Sequence, residues 1–479
     1  MVLSPDPGIQ ALADLLRPHG FQPIPTSWRE VPGRGWVFVA RGPAGKALGW
    51  ASPDEPPLRG GFLPEALRWD ALWVNLYPWT WENYQALRAL LPLSPGRCQR
   101  PASFGAGDRL GWATAAQVAA LQRYPVFPVL AQQSPRELAR TKRDFRDVLL
   151  AAALGVLEAG YAGPFGADAD HLQEEDQLRA AAAAGYSLYT FDLRRALARG
   201  PRPRTALSSV ARAVIAELAG SRLAVPGGHL VLEEDRLAAA AQVYEEALAA
   251  VIRGTEILRE MGIEADLEIS VDEAEAETTP ETHAFIVRYL QRHGVALWSL
   301  APRFPGTFEK AVDYEGDVER FAQAVAIHYA LARSLGGHRL SLHSGSEKFR
   351  ILPMFRALTE GYFHVKTSGT TWLQAVWVIA RHRPDLFAAL YVTARESLEE
   401  SRRDYPVRLR AEDLPADPPP DPEAALGSRA IRQLFHISYG VLLERHGARI
   451  YETLAQFEAA HMAAVAANLE RHLEALFGG

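Results

Sequence analysis

Carboxylate, imidazole and ammonium side chains recur directly after short apolar runs in this chain. GADADHL, residues 166–172, offers Asp168, Asp170 and His171; TFD ends on Asp192; EISVD carries Glu268 and Asp272. APRF brings Arg303, LHSGSEKF brings His343, Ser344, Ser346 and Lys348, and HVKTSGT brings Lys366, Thr367 and Thr370. Carboxylates and imidazoles ligate hard and borderline divalent metals, positioned carboxylates move protons, and cations hold an acidic substrate. No two of these clusters form a fixed-spacing metal motif, so their shared position after apolar runs carries the argument. Each cluster also has a purely structural use. Asp168 and Asp170 suit a turn or the N-cap of the helix that begins LQEEDQL, and Lys348 suits a surface pair with Glu347. The Ser, Thr and Gly residues of HSGS and KTSGT suit loops at helix N-termini, which are themselves anion sites when their N–H groups face a carboxylate or phosphate. Three Lys- or His-bearing loops after neighbouring strands favour chemistry over three unrelated structural roles. Lysine usage points the same way. Only Lys46, Lys142, Lys310, Lys348 and Lys366 occur among 51 basic residues, and the last three fall in these segments or, for Lys310, in the continuation of APRF to APRFPGTFEK, where a compact ammonium differs from a planar guanidinium.

The elements that must present these groups alternate. Apolar strand candidates are YPVFPVLA, AGPFGAD, SLYTFD, ADLEISVD, ALWSLAP, HRLSLHS and FHVKTS, separated by helical stretches at Arg136–Ala159, Leu237–Met261, His283–His293 and Val318–Leu335. Repeated βα units predict a parallel sheet, and their number predicts an α/β (β/α)8 TIM-type barrel, with a doubly wound sheet as the second choice. In such a barrel reactive groups stand at the C-terminal ends of the strands. The expected organisation is an N-terminal α+β accessory region over 1–100, a catalytic barrel over 101–413, a Pro-rich linker or loop over 414–427 (LPADPPPDPEAALG), and a C-terminal helical region packed on the barrel over 428–479.

Composition removes several classes. The chain has 479 residues, 48% of them hydrophobic, with a formal net charge of −6, so no basic field awaits a nucleic acid. A lone Cys98 forms no internal disulfide and no Cys-rich metal site. The N-terminus lacks the charged, apolar and small-residue order of a signal peptide, and charges interrupt every apolar run before membrane-spanning length. A cytoplasmic enzyme without membrane or nucleic-acid partners is expected, with room for a homo-oligomer. SFGAGDRLG runs G-x-G-x-x-x-G with no clear hydrophobic strand before it, and neither a P-loop nor a G-x-S-x-G elbow is present, so no nicotinamide is expected.

The stretches GAGDRLG, LAQQSPRELARTKRDFRDV, GADADHL, LAPRFPGTFEKAVDY, LHSGSEKF and HVKTSGTTWLQA, in order over Ser103 to His461, resemble the tagaturonate/fructuronate epimerases of bacterial hexuronate breakdown. Departures fall at Lys142, Glu347 and Ser368, and the first hundred residues match poorly. The resemblance implies a barrel, one divalent metal (Zn, Mn, Ni, Fe or Co) and interconversion of D-tagaturonate with D-fructuronate. It implies Asp170 as proton acceptor, Glu268 as proton donor, and His171 and His343 as metal ligands. Glu309 and His364 compete as third ligand; Glu309 is preferred because it follows the strand beside that of His343. Arg303, Lys348 or Lys366 would hold the substrate carboxylate. The two keto acids differ at C3, one bond beyond the acidic carbon next to the C5 ketone, so enolisation alone does not invert it. Without a nicotinamide, retro-aldol cleavage of C3–C4 and re-addition is the expected route. Two rivals are an epimerase or isomerase of neutral ketohexoses or sugar phosphates, and a catalytically silent sugar-acid binding protein.

Overall fold

Strand alternation sorts each segment into an outward apolar set and an inward polar set. In a computed structural model, which describes residues 7–478 apart from Arg199, Glu275, Asp404 and Pro406, eight such strands close into a parallel barrel. In chain order they are β1 (Ser103–Ala106), β2 (Phe127–Gln133), β3 (Gly166–Leu172), β4 (Leu188–Asp192), β5 (Asp266–Ser270), β6 (Ser299–Ala301), β7 (Arg339–Leu342) and β8 (Phe363–Thr367). Each pairs with its sequence neighbours, and β8 closes on β1 through His364 opposite Ser103. Residues 1–6, on which the lack of a leader is read, and Glu275 of the acidic run lie outside the described residues.

Outward residues such as Tyr189, Phe191, Ile269, Phe363 and Val365 are buried in one continuous core with the helical layer. Each large side chain contributes about 1.5–3 kcal/mol by leaving water. The inward residues Asp168, Thr190, Glu268, Ser299 and Lys366 are equally buried, which makes the barrel's centre polar.

The strand missing from the sequence reading is β1. Its two-residue spacing of glycines serves barrel packing. A Cβ on Gly105 would stand 1.7 Å from Gln132 Oε1, and one on Gly107 would stand 2.9 Å from Ser368 Cα, so side chains are excluded by the closeness of β2 and the loop after β8. The expected helix at Arg136–Ala159 is two helices, Pro135–Thr141 and Phe145–Glu158, each opened by a capping box, Ser134 with Glu137 and Asp144 with Asp147. Lys142 ends the first in the left-handed region at φ 54°. The other expected helices are present as Glu234–Glu260, Pro280–Arg292 and Val318–Leu335.

Before the barrel, Gly35–Gly42 and Gly45–Ser52 form the centre of a six-stranded antiparallel sheet with the helix Pro7–Leu16 on it. Lys46 joins this sheet to the barrel layer and the C-terminal helix by ion pairs of 2.7 Å to Glu158 and 2.8 Å to Glu458. After the barrel, helix Arg429–Gln456 packs on Thr370–His382 and Pro384–Glu396 through Trp372, Phe387 and Phe435. Helix Glu458–Phe477 returns to the barrel layer, placing Leu469, Leu473 and Leu476 in the main core. The Pro-rich stretch 414–427 lies against this assembly with Leu414 and Leu426 buried and contains a short helix, Pro422–Ala425. No helix among the described residues is long and apolar enough to cross a membrane.

Candidate active site

Inward positions near the C-terminal ends of β3, β4, β5 and β8 converge on one ammonium. Lys366 Nζ stands 2.6 Å from Asp168 Oδ2, 2.8 Å from Asp170 Oδ1 and 2.7 Å from Glu268 Oε1. The Thr190 hydroxyl lies 2.7 Å from the same nitrogen and donates to Asp168 Oδ1 at 2.9 Å. Glu268 also accepts from Ser299 and lies against His343 Nε2. Burial alone would raise all three carboxyls. Lys366, and the histidines beside it, hold Asp170 and Glu268 well below the carboxylate range, whereas burial pushes Asp168 up to about 7 against the pull of Lys366.

One step outward along the barrel axis are the imidazoles. β3 carries a bulge opposite β4: Tyr189 pairs with Ala169 but Phe191 pairs with Leu172, and His171 takes φ 52° in the left-handed region. This extra residue breaks the alternation, so adjacent Asp170 and His171 both serve the site, as bulges beside active sites do. Strain of this kind costs about 1–3 kcal/mol and must be supported by its surroundings. His171 Nδ1 lies 3.3 Å from Asp192 Oδ2, and His343 Nδ1 lies 3.2 Å from Asp272 Oδ1. The two rings meet edge to face, with centroids 5.1 Å apart. Donor atoms of Asp170, His171 and His343 fall within 4.8 Å of one another and form a group able to hold a metal ion. Burial would lower both imidazoles, but Asp170 and Asp192 bring His171 up to about 9, and Asp272 and Glu268 bring His343 up to about 10. Carboxylates therefore outnumber the fixed cation here, and a divalent ion replacing the imidazole protons fits both the donor set and the charge.

Several expected residues stand elsewhere. Glu309, preferred as third ligand, lines the same cavity as His343 but has its carboxylate engaged by other groups: it accepts from Arg408 Nε at 2.6 Å, Arg429 Nη2 at 2.7 Å and Gln433 Nε2 at 2.8 Å. Its competitor His364 bonds Ser103 Oγ through Nδ1 at 2.8 Å, two residues deeper than Lys366, and burial drops it to about 3. Asp170 is the residue that completes the group with His171 and His343. Lys348 donates to the carbonyls of Glu309, Val312 and Ser346 at 3.0, 2.5 and 3.0 Å, and Lys366 is enclosed by carboxylates, so neither ammonium faces open space. Arg303 does line the cavity above His343, about 510 Å³ in volume, with Asp272, Lys310 and Ser344. Thr190 and Ser299 were passed over in the sequence. Their signal was the polar face of β4 and β6, in register with Glu268.

A closed (β/α)8 barrel whose strand ends carry paired carboxylates, a lysine and a metal-capable His–His–Asp group beneath a cavity of substrate size defines a barrel enzyme. The model of the UxaE, or tagaturonate epimerase, family matches residues 34–476. The chain belongs to this family and is an epimerase, an enzyme of the isomerase class. It is 38% identical over 418 residues to the tagaturonate/fructuronate epimerase of Thermotoga maritima, covering 83% of this chain and 85% of that one. Its structure is similar to a glycerol-complexed crystal structure of the fructuronate-tagaturonate epimerase UxaE from Cohnella laeviribosi, with TM-score 0.88, 31% identity, and coverage of 98% of this chain and 99% of that one. The native crystal structure of the same enzyme gives TM-score 0.86 at the same identity and coverage. Contrary to the sequence expectation, the family match reaches well into the first hundred residues, beginning at residue 34.

Proposed function

We propose that this enzyme interconverts D-tagaturonate and D-fructuronate by retro-aldol cleavage and re-addition, with a divalent metal held by His171, His343 and Asp170. The observation that carries this reading is the single ammonium of Lys366 bridging two carboxylates, Asp170 and Glu268, beside the His–His–Asp group. A mixed imidazole and carboxylate set suits Zn, Mn, Fe, Co or Ni, and such an ion would polarise the C5 ketone and offset the negative charge that develops next to it.

The chain's own residues supply the proton movements. Asp170, held ionised beside Lys366 and the imidazoles, accepts the C3 hydroxyl proton as the C3–C4 bond breaks. Lys366 then receives a proton from Asp170 while passing one to Glu268. After the C3 aldehyde has turned over and C4 has attacked its other face, Glu268 returns the proton to the C3 oxygen. The proton removed and the proton returned are thus balanced within one hydrogen-bonded set, and C3 keeps its own hydrogen. Burial of every member excludes water that would quench the carbanion equivalent.

The test is proton NMR of metal-reconstituted enzyme with D-tagaturonate, repeated after EDTA and in deuterated solvent. Fructuronate should form only with metal and carry no solvent deuterium at C3. Deuterium at C3 refutes the carbon–carbon cleavage, and conversion undiminished by EDTA refutes the metal.

A further inference from the structure

The reading above needs a cation for the substrate carboxylate, and the lysines expected from the sequence, Lys348 and Lys366, are both enclosed. The cavity wall offers five other cations, Arg194, Arg303, Lys310, Arg402 and Arg403. Arg194 is paired with Glu273 and Arg402 with Glu399, and Arg403 is exposed. Lys310 is half-buried, and among the described residues its ammonium has one polar neighbour, the neutral Ser344 hydroxyl at 3.2 Å. Arg303 is also half-buried with no carboxylate partner among the described residues; its backbone N–H is fixed on Thr278 Oγ1 at 2.8 Å.

The backbone on each side of Lys310 is held on purpose-built contacts. Lys348 Nζ binds the carbonyls of Glu309 and Val312, and the Glu309 carboxylate is held by Arg408, Arg429 and Gln433. Ala311 sits in the left-handed region at φ 65°, with its carbonyl accepting from Arg432 Nε at 3.1 Å. A segment pinned this closely keeps its backbone in place and leaves one long side chain over the cavity, the arrangement expected of a pre-organised binding group. The positive field of Lys310 is felt nearby: burial first and Lys310 second bring Lys348 down to about 7. The cavity is therefore polarised, with carboxylates and the His–His–Asp group toward the barrel axis and the unpaired cations Arg303 and Lys310 on the loop after β6.

We infer that Lys310, seconded by Arg303, binds the substrate carboxylate and is the residue that makes this site select a uronate over the matching neutral ketohexose. This rests on the function proposed above. Ser344 orients the ammonium and yields it when the carboxylate arrives. During turnover this contact would hold the carboxylate-bearing aldehyde fragment while its carbonyl rotates.

The experiment measures kcat and KM of the metal-loaded enzyme, K310M and K310R on D-tagaturonate and on D-tagatose. Loss of a charge-assisted contact should raise the tagaturonate KM of K310M roughly ten- to a hundredfold, with most of it restored in K310R. Turnover of D-tagatose should be unchanged or improved in K310M. A tagaturonate KM within about twofold of the parent in K310M, or an equal loss on both sugars, overturns the inference; should K310M not fold, K310R with a tagaturonate KM raised as far as that of an Arg303→Met variant does the same. Failure of the unmodified enzyme on both uronates, with tagatose accepted, overturns instead the proposed function on which the inference rests.

Discussion

Away from the site, three buried histidines form a chain whose protonation the structure dictates. His328 Nε2 lies 3.1 Å from the Thr278 carbonyl, which only accepts, so that nitrogen carries the hydrogen. His328 Nδ1 must then accept from His283 Nδ1 at 2.9 Å, and His283 Nε2 must accept from His338 Nε2 at 2.8 Å. Each contact is satisfied with all three rings neutral, and a second proton on His283 would set N–H against N–H. Burial lowers His328 and His338 to about 4 and His283 well below its usual value, with the neighbouring histidines adding to it at His338 and His283. A histidine with a depressed folded pKa contributes stability that is present above the unfolded value of about 6.5 and is lost as the pH falls toward 4. At pH 5 an unfolded imidazole near 6.5 is almost fully charged while a folded one near 4 is almost neutral, and the difference costs the fold about 2 kcal/mol per ring relative to pH 8. His338→Gln keeps an N–H donor for His283 and removes one titrating ring. Urea unfolding of the parent and H338Q at pH 8 and pH 5 should show the acid-induced loss smaller in the variant by about 2 kcal/mol, because contributions common to both chains cancel in the comparison. An acid-induced loss equal in the two, within about 0.5 kcal/mol, would refute the neutral chain.

Lys366→Met should destabilise the enzyme by about 3–5 kcal/mol at neutral pH, since it leaves buried carboxylates without their cation, and urea unfolding should show part of this regained in K366M with Asp168→Asn. A K366M variant of parental stability with only a raised KM would return Lys366 to the role of substrate binder. Metal retention, measured by mass spectrometry of the purified protein, should be abolished by His343→Ala and changed less than about tenfold by Glu309→Gln, as for a residue outside the ligand set. Equal loss in both variants would make Glu309 a ligand.

Period-two polarity made most of the barrel legible, because β4, β5 and β8 each write their inward face in the sequence as Thr190 and Asp192, Glu268 and Ser270, or His364 and Lys366. β1 escaped because SFGA contains too little apolar surface to announce a strand; its glycines answer to Gln132 and Ser368, residues of other segments. The break at Lys142 escaped for a related reason. Two capping boxes in succession, S-P-R-E and D-F-R-D, were present, but the surrounding Ala and Leu residues sustain a helical pattern straight through them. The bulge at His171 left no local signal, since a histidine at positive φ is distinguished only by the partners that hold it there.

The site shows why residue type at a strand end does not by itself assign a role. Lys310, Lys348 and Lys366 are indistinguishable by that criterion, and all three lie in loops or strand ends of the same barrel face. What separates them is which acceptors the fold delivers to each ammonium: three carbonyls to Lys348, three carboxylates and a hydroxyl to Lys366, and a lone serine to Lys310. Those acceptors come from segments up to 198 residues away in the chain for Lys366 with Asp168, and only chain closure into a barrel brings them together. A buried ammonium among carbonyls fixes backbone, one among carboxylates stores and passes charge, and one left nearly unpaired over a cavity is available to a ligand. Glu309 likewise carries three donors on its oxygens, which is the ground for expecting Glu309→Gln to spare metal retention.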